Sequence, residues 1–62
     1  MDAFDVLLKE IDDKLQQLKE FLAEGKAETF EDYKRLCGEI RGLLTAKEYT
    51  IVLKRKLESL DE

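Results

Sequence analysis

The chain has 62 residues, 44% hydrophobic and 42% charged, with 15 acidic against 11 basic side chains and a net charge of −4. That length allows one small domain, and domains below about 70 to 80 residues rarely bury enough core to stand alone without a disulfide, a metal or a partner. With no histidine and one cysteine, Cys37, an internal disulfide is impossible, a zinc site lacks ligands and the commonest general base is missing, which leaves a partner.

From Phe4, apolar residues recur at Leu8, Ile11, Leu15, Leu18 and Leu22. These alternating steps of four and three keep one stripe on one helix face. Leu7 and Phe21 widen the stripe, while Asp5, Lys9, Glu10, Asp12, Asp13 and Lys14 fall on the solvated side. Asp2 is placed to cap the start, and Asp5 lies where the positive end of the helix dipole favours an acid. Gly25, free to turn left-handed, marks the stop. The first helix is expected over about residues 3–24 and the turn over about 25–29.

Thr29-Phe30-Glu31-Asp32 reads as a second start, although Asp32 stands where a capping box prefers Glu or Gln. No proline follows, so one helix is expected over about residues 30–60, roughly 45 Å long. A connection this short makes the pair an antiparallel helical hairpin, all-α and a single domain over the whole chain. Through Asp32 there are ten acids and four bases, and from Tyr33 on seven bases and five acids, so the halves carry −6 and +2 and attract weakly. Same-helix pairs Asp5–Lys9, Glu10–Lys14 and Glu31–Arg35 are expected to add about 0.2 to 0.5 kcal/mol each. The competing topology, a break near Thr45–Thr50 folding back into a three-helix bundle, lacks a glycine or proline to make the reversal.

The second helix carries two apolar faces. Tyr33, Leu36, Cys37, Ile40, Leu43, Leu44 and Ile51 cluster on one side and are expected to cover the first helix. Roughly opposite run Gly38, Gly42, Ala46, Tyr49, Leu53, Leu57 and Leu60, small residues first and large ones later. A shorter first helix shelters nothing beyond about Val52. Burying three leucines is worth roughly 1.5 to 3 kcal/mol each, so water is a poor default environment for that row. Two glycines one turn apart permit close approach of another helix, the geometric part of a motif known from membrane dimers. Self-association into a helical bundle, or docking on a larger assembly, is expected through these residues, with Arg41 pairing to a carboxylate on the neighbour.

Little else points to chemistry. Neighbouring acids such as Asp12-Asp13 and Glu31-Asp32 read as solvated surface, Cys37 as a small buried hydrophobe, and no calcium-loop or phosphate-loop pattern occurs. An isoelectric point near 4.8 and no basic stripe interleaved with aromatics argue against nucleic acid, despite Lys54-Arg55-Lys56. No cofactor, no metal and no enzymatic activity are expected. The longest apolar runs are triplets such as Val6-Leu7-Leu8, far from the roughly 20 residues of a membrane span. The acidic beginning is unlike a secretory signal, and the lone cysteine suits a reducing cytoplasm.

The stretch Tyr33-Lys34-Arg35-Leu36-Cys37-Gly38-Glu39-Ile40-Arg41-Gly42-Leu43-Leu44, with Ala46 and Ile51 after it, resembles a group of very short tailed-bacteriophage proteins built around a Gly-Glu-Ile-Arg-Gly core. The likeness extends to the Glu-Gly connection and the Lys-Arg-Lys end. It implies a phage origin, residence in the host cytoplasm and association with the particle, and carries no catalytic residues. The function expected is therefore a non-catalytic interaction module, with itself or a phage structural protein of the capsid, portal or neck as partner. The alternative is an early effector that inhibits a host protein through the acidic surface of Asp5, Asp12, Asp13 and Glu20.

Overall fold

A computed structural model describes residues 2–60. Two helices, α1 (Ala3–Ala23) and α2 (Phe30–Leu60), pack against each other as a hairpin, and no strand occurs among the described residues. Local chemistry sets their ends. The Asp2 carboxylate accepts from the Asp5 amide at 2.9 Å, and the Thr29 hydroxyl from the Asp32 amide at 3.0 Å, so each N-terminus has one orphan donor satisfied by a side chain. At the other end of α1, Gly25 adopts φ 74°. Its N–H donates to the Leu22 carbonyl at 3.0 Å and that of Lys26 to the Phe21 carbonyl at 3.3 Å, which is the Schellman closure. The Lys26 ammonium lies 5.9 Å over the Phe21 ring, where an apolar contact usually seals this motif.

The buried core is four side chains, Ile11, Leu15 and Leu18 from α1 and Leu36 from α2. Toward the open end of the hairpin, ion pairs join the half-buried Phe4, Leu8 and Ile51. Lys47 Nζ lies 2.7 Å from Asp12, and Lys54 donates to Asp5 with Asp2 at 3.8 Å and Glu58 at 3.9 Å. The α2 face turned to α1 thus runs Leu36, Ile40, Leu43, Lys47, Thr50 and Lys54, all buried or half-buried. The expected contact face is corrected in part: Leu36, Ile40, Leu43 and Ile51 are buried or half-buried on it. Tyr33 and Leu44 are exposed, and Cys37 is half-buried rather than a core residue. Lys47 and Lys54 join the contact line because a long apolar stem can lie along the interface while its ammonium reaches an acid at the edge.

The expected same-helix pairs are also rearranged. Asp5 is taken by Lys54, and Lys9 pairs forward with Asp13 at 3.1 Å. Arg35 lies 3.3 Å from Glu39 and 3.8 Å from Asp32. Lys54 wins Asp5 because its side chain is only 26% exposed, so its charge-assisted bond is less screened than one on the open surface. The α2 helix continues unbroken through residues 45–50. The Thr45 and Thr50 hydroxyls donate to the carbonyls of Arg41 and Ala46, at 3.0 and 2.8 Å, and so find partners inside the helix without bending it into a third segment.

The result is a rod of 51 × 18 × 12 Å with a radius of gyration of 14.8 Å, against about 10.5 Å for a compact domain of this length.

Candidate partner interface

The row Gly38, Gly42, Ala46, Tyr49, Leu53, Leu57 and Leu60 is exposed at every position. Tyr49 and Leu60 show 73% and 79% of their surface, Leu53 and Leu57 48% and 43%. Two geometric causes combine. The row lies well away around α2 from the Leu36–Lys54 line. In addition, α1 reaches along α2 only as far as Lys54, which its first residues, Asp2 and Asp5, bind. Leu57 and Leu60 therefore project beyond the hairpin contact, and a shallow groove lined by Val52, Arg55, Lys56, Ser59 and Leu60 runs along this overhang.

The glycines have no role inside the chain that would require them. A methyl built on Gly38 or on Gly42 meets nothing within 4 Å, and neither has a positive φ. Each nonetheless lowers the helix propensity of α2 by about 1 kcal/mol relative to alanine. Gly25 differs, since its left-handed φ is the turn itself. Arg41 is exposed and forms no ion pair among the described residues. It borders the row rather than lying in it, beside a shallow hollow shared with Tyr33, Lys34, Cys37 and Gly38.

Other exposed apolar groups escaped the sequence reading. Phe30 is stacked on Tyr33 with ring centroids 6.5 Å apart, and Lys34 sits 5.5 Å over the Phe30 ring. Spacings of three and four from Phe30 were the available signal for this patch. Leu7 and Phe21 on α1 are exposed as well.

The acidic surface of α1 is largely matched within the chain. Asp5 binds Lys54, Asp12 binds Lys47, Asp13 binds Lys9, and Glu20 accepts from Gln16 Nε2 at 3.1 Å. The Lys54 hydrogen bond holds the Asp5 carboxyl below the ordinary aspartate value, and the same bond lifts the Lys54 ammonium above the ordinary lysine value against a smaller opposing effect of burial. Among the described residues no group of three or more potential ligands could hold a metal ion, and no helix is long and apolar enough to cross a membrane. Comparison with protein families, with characterised proteins and with solved structures finds no match to this chain.

Proposed function

We propose that this chain is a non-catalytic protein–protein interaction module that binds through the uncovered face of α2, and that it serves as a small accessory component of a phage particle. The observation that carries the interaction is the pairing of two mid-helix glycines facing open space with an exposed leucine row on the same side. A helix of 31 residues in which Leu36 is the one buried residue among those described leaves Tyr49, Leu53, Leu57 and Leu60 exposed for a neighbour. The phage setting rests on the Gly38-Glu39-Ile40-Arg41-Gly42 resemblance. Within it, a capsid, portal or neck protein, or a second copy, supplies the complementary surface. The acidic-surface alternative is disfavoured by the lysines already seated on Asp5, Asp12 and Asp13.

Affinity capture of the tagged chain from infected cells, with mass spectrometry of purified particles, tests the proposal. The native chain is expected on the particle, and Leu53→Glu is expected to lose it while keeping its helicity. A chain absent from particles overturns the virion placement, and retention by Leu53→Glu overturns the face.

A further inference from the structure

The order of residues along the exposed face says more about the partner than its hydrophobicity does. From Gly38 to Leu57 the steps are 4, 4, 3, 4 and 4, the same read from either end. Adding Arg35 before and Leu60 after extends the series by a step of 3 on both sides. A row with this symmetry meets its own reversed copy in register. In that register Gly38 stands opposite Leu57, Gly42 opposite Leu53 and Ala46 opposite Tyr49, so every layer combines one small with one large side chain. Facing positions that alternate in size interdigitate, whereas equal ones leave gaps or collide. A parallel copy would set Leu57 on Leu57 and Gly38 on Gly38, forcing the helices to diverge at one end.

We infer that a second copy of this chain covers the face, with the two α2 helices antiparallel and the twofold axis passing between Ala46 and Tyr49. This deepens the interaction reading above and rests on it. Arg35 opposes Leu60 at each end of the seam. Its guanidinium is held by Glu39 and Asp32, which leaves the aliphatic stem to cover Leu60 of the second copy. The area agrees. The elongated chain exposes 5081 Å² where a compact monomer of its mass exposes about 4,200 Å², so the roughly 800 Å² per partner that a stable interface needs is open to a second copy. An isologous pair also closes on itself and leaves no end to propagate.

The test combines mass in solution with a distance. Sedimentation equilibrium of the full chain is expected to give a dimer that Leu53→Glu dissolves. In a Cys37→Ser background, a nitroxide on Lys56→Cys is expected about 25 to 30 Å from its twin, since the antiparallel register offsets the two labels by about 25 Å along the axis. A dimer with labels closer than about 15 Å overturns the antiparallel register and leaves the interaction reading standing. A monomer at several hundred micromolar overturns the second copy as partner, with particle capture deciding the interaction reading separately. A dimer insensitive to Leu53→Glu overturns both. As an internal control, Gly42→Leu is expected to weaken the dimer at least tenfold, and adding Leu53→Ala to recover part of that loss by reopening the facing layer. Failure of the second change to recover anything overturns the register, provided circular dichroism shows the helices intact.

Discussion

Replacing both Gly38 and Gly42 by alanine should move two properties in opposite directions. In the isolated hairpin the added methyls have open space and no strained φ to resist them. Helix propensity alone then favours the variant by about 1 kcal/mol at each site, so about 2 kcal/mol together. For a chain of this size the total stability is on the order of 3 to 9 kcal/mol, and 2 kcal/mol raises the thermal midpoint by about 8 to 16 °C. Association should weaken, because the same methyls stand between helices meant to approach closely, and a tenfold rise in Kd corresponds to about 1.4 kcal/mol. Circular-dichroism melts over a dilution series separate the two effects. The native midpoint should climb with concentration, as it must when only the folded form associates, while the variant starts higher and stays nearly flat. A variant less stable than the native chain at the lowest concentration would show that the glycines serve the hairpin itself. One that is more stable and keeps the native concentration dependence would remove them from the interface.

Three further outcomes follow from the fold. Leu36→Ala truncates the one buried residue of α2 and should cost about 2 to 5 kcal/mol, enough to unfold much of the population in a urea titration; a loss below 1 kcal/mol would mean that the apolar core of the hairpin contributes little. Gly25→Ala places a side chain at φ 74° and should cost roughly 1 to 2 kcal/mol of thermal or urea stability, with no cost at all counting against the left-handed closure of α1. Asp5 is depressed and Lys54 raised by their mutual bond. The Asp5 contribution is therefore complete above about pH 4 and lost as pH falls through its lowered value, and the Lys54 contribution is complete below about pH 10.4 and lost as pH rises through its raised value. Lys54→Gln should return the Asp5 titration, followed by NMR, to the ordinary aspartate range; an unchanged midpoint would mean the bond does not persist in solution.

The helix ends were legible because they are written in a few adjacent residues. Asp2, Thr29 and Gly25 each act on backbone groups within three positions, and the structure places a cap or a turn at each. The stripe of α1 was legible for the same reason, since one periodicity decides one face. The contact line of α2 was less so. Ranking Tyr33 and Leu44 above Lys47 and Lys54 follows from hydrophobicity alone, and it fails because the acids that draw the lysines inward, Asp12 and Asp5, lie more than thirty residues away in the chain. The exposed row was visible as spacing, and the length of the first helix already set its reach near Val52; what the sequence did not show is that the space at both glycines is empty. Arg41 could be placed near the row, but its position at the edge follows only from the neighbours it shares with Tyr33 and Cys37.

Sedimentation equilibrium of the native chain beside Leu53→Glu, from ten to several hundred micromolar, bears most directly on the claim that the outer face of α2 pairs with a second copy of the chain. The native protein is expected to approach twice its 7.3 kDa chain mass while the variant stays at the single-chain value. Equal masses for the two proteins across that range would contradict it.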